Sequence, residues 1–375
     1  MKFSVTKAEF QRGLGRIQSI VEKRNTMPIL ANALIEVGGK GKEGRLEIAA
    51  TDLEVGIRSA HPCETSKPGS LTVSARKLHE IVRELPDEKI HLEASSNAYL
   101  TLHCARSKFT LAGTTAEEYP SLSSFTPEQL VTVPAAVLSE MIDRTMYAAS
   151  TDETRYNLNG VYIERIPSTG KLRMVATDGH RLSYVDRPLG DGFSSLDERG
   201  VIIPRKGLVE LKKLVDEEDA DEIEIGFEGN SGLARKHGVT LTLRLIEGEF
   251  PNYRQVIPEE RGQQLTLPAD VFMHALRRVA LLSAERSRAV KLDLSDGQLT
   301  LSSNNPDLGD ASEELEVDFH GEPTSIAFNA RYLIDALAAS ASKEMRFGFR
   351  DGLSPAELSP TDDEDALAVV MPMRL

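Results

Sequence analysis

The stretch VATDGHRLSYV, residues 175–185, sets Asp178, His180 and Arg181 within four positions between apolar runs. A carboxylate, an imidazole and a guanidinium at that spacing could pass a proton or orient a nucleophile. Two acidic runs, Asp216-Glu217-Glu218-Asp219 and Asp362-Asp363-Glu364-Asp365, could hold a cation. Neither has the liganding glycine turn of an EF-hand, so both read as solvated loops. No GxxxxGK[ST] loop, GxSxG elbow or HExxH helix accompanies them. The only cysteines, Cys63 and Cys104, are not at metal-ligand spacing and make no disulfide framework.

These residues must be positioned by a threefold repeat. A strand and helix open at 3–17, 131–145 and 265–279. An alternating strand runs into a turn at 46–57, 172–185 and 299–315. A second strand and helix follow at 71–82, 201–215 and 325–337, and a closing strand at 99–113, 239–251 and 366–375. Constant order at offsets of about 130 residues implies three homologous domains, 1–125, 126–254 and 255–375. Their seams fall in the polar, Pro-containing stretches 121–128 and 254–263. Apolar residues recur at helical spacing (Leu208, Leu211, Leu214; Phe272, Leu276, Val279) and at strand spacing (Leu46, Ile48, Ala50). Each domain is thus α+β, with two helices and antiparallel sheets. The repeat is also an internal control. Asp178 aligns with Asp52 and Asn305, and an Asp or Asn at a strand end caps a turn by accepting from its own backbone. His180 and Arg181 belong to the second repeat alone.

The chain has 375 residues, 40% hydrophobic and 27% charged, which suits a soluble multidomain protein. It begins without an apolar leader and has no apolar run near the ~20 residues that span a bilayer, so a cytoplasmic place and no membrane partner are expected. The net charge is −14, but it is unevenly spread. The candidate helices 7–24, 74–85, 135–148, 205–214, 269–282 and 330–343 carry +8, and the remainder −22. A basic helical surface on an acidic exterior would hold duplex DNA by its phosphates without reading sequence. The end of the chain, VVMPMRL, is apolar where termini are usually polar, and a Met-lined groove would suit several peptides.

MKFSV at the start, MPIL at 27–30, ATDLE at 50–54, ATDGHRL at 176–182, IPRKG at 203–207, FPNYRQVIP at 250–258, NNP at 304–306 and VVMPMRL at the end together resemble the bacterial sliding clamps, the β subunits of DNA polymerase III. The resemblance runs the whole length. It implies the DNA clamp fold and a head-to-tail homodimer closing into a ring around duplex DNA. It implies no catalysis and no cofactor or metal. The partners it implies are an ATP-driven clamp loader, the replicative DNA polymerase held for processivity, and other replication and repair proteins that carry a clamp-binding motif.

By position, the resemblance puts Arg24, Arg76 and Arg205 toward DNA. At the dimer interface it puts Lys77, Arg106, Lys108 and Leu111 against Leu281, Leu282, Asp307, Asp310, Glu313 and Glu314. Its pocket for short motifs rich in Gln, Leu and Phe maps onto Arg155, Leu158, Thr177, Gly179, His180, Arg181, Leu182, Pro251, Val256, Val369, Val370, Met371, Pro372, Met373, Arg374 and Leu375. Asn157 stands where the family has Tyr, Gln255 where it has Arg, and Asp152, near the inner surface, where it has Gln. These departures imply a different ranking of peptides and one DNA contact fewer. Two alternatives compete with the clamp: a hydrolase or metal enzyme using Asp178 and His180, and an acidic scaffold that does not need DNA.

Overall fold

The structure, a computed structural model, describes residues 1–21, 27–120, 130–189, 192, 193, 196, 199–217, 221–258, 262–284 and 288–374. Six α-helices lie among them: α1 (Lys7–Ile17), α2 (Ala75–Glu84), α3 (Ala135–Met146), α4 (Arg205–Val215), α5 (Ala269–Val279) and α6 (Ala330–Ser340). Each follows a strand directly, as the repeat requires. A polar side chain at the handover takes one of the free N–H groups of the first turn in three of them: Thr6 from Glu9, Ser74 from Lys77 and Asn329 from Arg331. Helix α1 stops at Ile17, short of the expected 24, and the chain turns there to bury Ile20. The seam at 121–128 lies outside the described residues.

The chain divides into two compact units, Met1–Ala135 with Val209–Leu245, and Ala136–Leu208 with Ile246–Leu375. In the first, twelve strands make one antiparallel sheet. Strand Lys2–Thr6 pairs with both Lys89–Ala94 and Val55–Lys67, so eight of the twelve close on themselves. Gly13 lets α1 lie close against this sheet: a Cβ there would sit 2.6 Å from His61 Nε2 and from Ile48 Cδ1. The second unit has an eight-stranded and a four-stranded sheet. Its core stacks Phe272, Phe328 and Phe347 edge to face among Leu276, Leu333 and Val370.

One pairing recurs. The strand that leaves the hairpin turn of one repeat pairs with the closing strand of the next. Val55–Lys67 pairs with Val239–Arg244, Leu243 opposite Val55 and Val239 opposite Ser59. Arg181–Arg187 pairs with Ala366–Val370, Val370 opposite Arg181 and Ala366 opposite Val185. Val55 and Arg181 each stand three residues after the aligned Asp, so the two registers are the same. The third hairpin strand, Gly309–Glu316, is an edge, paired only with Gln298–Asn305 among the described residues. The first closing strand, Ser107–Thr114, meets a neighbour on its outer side only at Gly113 and Thr114.

The acidic runs are not simple solvated loops. Asp363, 17% exposed, accepts from Arg144 at 2.6 Å and Arg187 at 2.5 Å, and Arg187 also reaches Glu140 at 2.7 Å. Asp365 pairs with Lys171 at 2.6 Å. Glu217 receives Arg16 and Asp216 receives Lys212, each at 2.6 Å. Asp362 and Glu364 remain exposed, and Glu218 and Asp219 lie outside the described residues. Half-buried guanidinium groups need carboxylates at hand, and the runs supply them. Carboxylates outside the helices take up part of the helical cation excess: Arg16 holds Glu217, Arg144 holds Asp363, Lys212 holds Asp216 and Arg278 holds Glu313.

Candidate functional site

At the hairpin tip, Asp178 Oδ1 accepts from His180 N at 2.9 Å and Arg181 N at 3.0 Å. Asp52 Oδ1 does the same for Glu54 N and Val55 N at 2.9 and 2.7 Å, and Asn305 Oδ1 accepts from Asp307 N at 3.0 Å. Asp178 is therefore a turn former, as its repeat predicts. The turn needs a positive φ, which Gly179 takes at 87° and its counterpart Leu53 at 78°.

Arg181 is consumed internally. It bonds Asp178, Asp335 at 2.7 Å and the Tyr147 carbonyl at 2.7 Å, between the rings of Tyr147 and Tyr332. His180 is exposed and lies over Tyr332, ring centroids 6.4 Å apart. No nucleophile stands beside it. The arrangement nearest to a hydrolase chain is elsewhere: Ser59 Oγ is 3.0 Å from His61 Nε2, whose Nδ1 is 2.9 Å from Glu9. Ser59 and His61 are 1% and 3% exposed, so no substrate reaches them. Among the described residues no three His, Cys, Asp or Glu side chains gather as a metal site, and no helix is long and apolar enough to cross a membrane.

The second unit contains an open cavity of about 490 Å³. One wall is Gln255, Val256, Ile257 and Pro258; the other is Gly348, Phe349, Arg350, Ser354, Pro355 and Glu357, with Met371 and Gly262 completing it. Of the residues expected at a peptide pocket, Val256 and Met371 line it directly. Leu182 and Val369, opposite each other across two strands, cluster with Val175 and Tyr253 in a small apolar core of their own. Arg155 ties itself to the hairpin by donating to the Asp178 carbonyl at 2.8 Å, and Thr177 Oγ accepts from Gly179 N. Pro251 and Arg374 are exposed, Pro372 half-buried, and Met373 is pinned to Ala327 by a backbone bond of 2.7 Å. Leu158 and Val370 are buried and offer no surface to a ligand. Leu375 lies outside the described residues. The wall 348–357 carries no motif, and its place beside Val256 comes only from folding.

Two of the noted departures have local reasons. Asp152 caps the 3-10 turn Glu153–Leu158, accepting from Thr154 N at 3.0 Å. Asn157 donates to the Glu249 carbonyl at 3.1 Å, a tie between two loops. Among the residues expected to face DNA, Arg76 is exposed and paired with Glu80, Arg205 donates to the Met146 carbonyl at 3.1 Å, and Arg24 lies outside the described residues. At the expected dimer surfaces, Lys77, Arg106, Lys108, Asp307, Asp310 and Glu314 are exposed, and Leu111, Leu282 and Glu313 half-buried. Leu281 is 76% exposed.

The other seam shows what is added here. Its strands hold the same backbone register, but Gly56 stands for Leu182, Thr242 for Val369 and Arg244 for Met371. The geometry recurs and the apolar lining does not.

Family models for the N-terminal, central and C-terminal domains of the DNA polymerase III beta subunit match residues 1–123, 132–252 and 254–374. The beta sliding clamp of Caulobacter vibrioides is 39% identical over the full length of both chains, and that of Escherichia coli K12 33%. Among solved structures, the Caulobacter crescentus beta sliding clamp superposes with a TM-score of 0.94 at 39% identity. A Bartonella birtlesii sliding clamp bound to griselimycin does so with 0.95 at 36%, and both cover all of either chain.

Proposed function

The chain belongs to the DNA polymerase III β-subunit family, non-catalytic sliding clamps that work with DNA and give the polymerase its processivity, and from that premise we propose that two copies close head to tail into a ring around duplex DNA. What carries the ring is the recurring pairing. Each hairpin strand takes the next repeat's closing strand, and only Gly309–Glu316 and Ser107–Thr114 are left without that match. Two edges of one chain that each lack the other's kind are satisfied by a second copy, and used twice the contact closes.

The register follows from the repeat. Ala105 and His237 share a left-handed turn, φ 50° and 44°, which aligns Leu111 with Leu243. The third hairpin turn is one residue longer, Asn304 pairing with Asp310 where Thr51 pairs with Gly56, so Gly309 takes the place of Val55. Leu111 of one copy then stands opposite Gly309 of the other, and Ser107 opposite Glu313. Lys108 and Arg106 face the acidic edge of Asp310, Glu313 and Glu314, and Leu281 and Phe109 lose their exposure. Three domains per chain, 1–125, 126–254 and 255–375, line the ring with their helices. Arg24, Arg76 and Arg205 touch the phosphates, and a few contacts of this kind, Arg76 already sharing Glu80, hold DNA weakly enough to slide.

The cavity between 255–258 and 348–357, backed through Ile257 by the Leu182 and Val369 cluster and tied through Met371 to His180, takes short partner motifs rich in Gln, Leu and Phe, with Arg155 and Gly179 at the same hairpin. Griselimycin, bound by a relative, is a candidate for the same place. A clamp loader places the ring in the cytoplasm, and the polymerase and repair proteins take turns at the groove. A tether raises the polymerase's effective concentration at the primer end.

The ring is tested by loading the protein with a clamp loader onto nicked circular DNA and then linearising it. Retention on the circle and loss from the linear form is the expected result. Equal retention on both, or none on either, overturns the ring.

A further inference from the structure

Behind Ile257, a wall residue of the cavity, lies the Leu182 and Val369 cluster, and this continues into a buried polar network. Tyr253 is 3% exposed, its ring clustered with Val175, Leu182 and Val369 and set edge-on to Phe250. Its hydroxyl donates to Glu164 Oε1 and accepts from Arg173 Nη1 at 3.1 Å. Arg254 reaches the same Glu164 oxygen at 2.6 Å. Arg173 forks onto Asp186 at 2.6 and 2.7 Å, with its guanidinium 4.0 Å from the centre of the Tyr184 ring. Burial and the Glu164 carboxylate push the Tyr253 phenol well above its ordinary range, so the hydroxyl keeps its proton to donate.

Such a network is no cheap source of stability, since desolvating charges costs about what their pairing returns, and apolar side chains would serve as well. Its distinct property is fixed geometry. The segment it grips has need of that. Residues 251–258 form one 3-10 turn, Tyr253–Val256, and the backbone bonds from Tyr253 to Pro251 and Ile257 to Arg254 are local. The other seam is built otherwise: the positions aligned with Glu164 and Arg173 are Glu36 and Glu47, both bonded to Arg58, which stands where Tyr184 does. Among the described residues the Glu164, Arg173 and Asp186 set is not repeated at the other seam.

Given the peptide-groove reading above, we propose that Tyr253 is a positioning residue of the groove: its ring sits in the apolar cluster behind Ile257, and its hydroxyl, fixed by Glu164 and Arg173, holds 251–258 so that Val256 and Ile257 stand ready as a wall. Peptide affinity then depends on the hydroxyl more than overall stability does.

The test uses the full-length protein and a fluorescein-labelled peptide, Gln-Leu-Ser-Leu-Phe, read by anisotropy beside thermal melting. If the unmodified protein does not bind the peptide, the groove reading itself fails. If it binds, Tyr253→Phe, which keeps the ring, is expected to bind about tenfold more weakly, the factor that one lost hydrogen bond to a charged group commands. Glu164→Gln should weaken binding likewise. The double variant should be no weaker than the worse single one, because both break the same link. Gly13→Ala in the other unit should lower the melting temperature and leave affinity unchanged. Wild-type affinity in Tyr253→Phe overturns the proposal, as does a loss that Gly13→Ala reproduces at equal destabilisation. Should Tyr253→Phe not fold, Glu164→Gln decides by the same two readings.

Discussion

The backbone N–H of Met371 donates to the carbonyl of His180 at 2.9 Å. At the other seam the N–H of Arg244 donates to the carbonyl of Glu54 at 2.8 Å, the same bond between the aligned residues. The backbone there is scaffold, common to both copies. What differs is the side chains it presents, a methionine beside a histidine against an arginine beside a glutamate. The proposed recognition would then belong to one seam through its side chains, the register being the same in both.

The turn at Asp178 can be separated from any chemistry. Asp178→Asn keeps an acceptor for the His180 and Arg181 N–H groups, as Asn305 does in the third repeat, and should stay within about 1 kcal/mol of wild type. Asp178→Ala leaves those donors and part of Arg181 unsatisfied and should cost about 1–3 kcal/mol. Urea unfolding of the two variants gives the order, and equal losses would show that the turn does not depend on this acceptor.

Asp363 joins Arg144 and Arg187, and its removal leaves the two guanidinium groups to share Glu140 alone. Asp363→Ala should therefore lose about 1–3 kcal/mol, the cost of hydrogen bonds to a charged group. Burial alone would raise the Asp363 carboxyl, but Arg187, the Asp365 N–H and Arg144 outweigh it and hold its pKa below the ordinary range. A carboxylate depressed in the folded state contributes stability above its unfolded pKa of about 4 and loses it as pH falls through the folded value. The melting temperature of the wild type should fall across that acid window more steeply than that of Asp363→Ala.

Much of this was legible in the sequence. Helix positions, the threefold order and the Asp178 turn follow from periodicity and from one residue standing at three aligned places. The ion pairs of Asp363 and Asp365 were not, because Arg144, Lys171 and Arg187 are far away in the chain and a run of carboxylates looks alike in water and in a salt bridge. The cavity wall 348–357 was hidden for the same reason: Arg350, Ser354 and Pro355 form no pattern, and only the pairing of Glu344–Phe349 with Ala356–Pro360 brings them opposite Val256. Helix charge counts also mislead where Asp216, Glu217 and Glu313, outside the helices, neutralise helix cations.

His61 gives the first unit a pH dependence. Burial lowers its pKa, against the pull of Glu9, while Arg16 and Arg12 add to the lowering. A histidine depressed in the folded state is kept neutral there, so the unfolded chain binds the proton first. Stability is complete above the ordinary histidine pKa of about 6.5 and falls as pH drops from there toward the folded value. Melting curves between pH 8 and 5, recorded for wild type and His61→Gln, should show a downward slope in the former that is reduced in the latter. Parallel curves would mean that His61 does not carry the effect.

The two seams also allow the groove to be erased with residues the fold already accepts. Val369→Thr and Met371→Arg copy Thr242 and Arg244, which sit in the same register beside Gly56 and Glu54. Thr242 Oγ1 donates to the Gly56 carbonyl at 3.3 Å, so the corresponding hydroxyl at 369 has the Leu182 carbonyl within its reach. The strand pairing should survive, and the melting temperature should change little. Met371, which lines the cavity, would give way to a cation and Val369 behind it would gain a hydroxyl, at a cost to an apolar ligand of about 1.5–3 kcal/mol for the lost methionine contact, or at least tenfold in affinity. Anisotropy with the labelled Gln, Leu and Phe peptide and retention on circular DNA together decide the matter: binding lost with retention kept places recognition in this groove and leaves the ring untouched, whereas binding kept at wild-type strength puts the peptide somewhere else on the molecule.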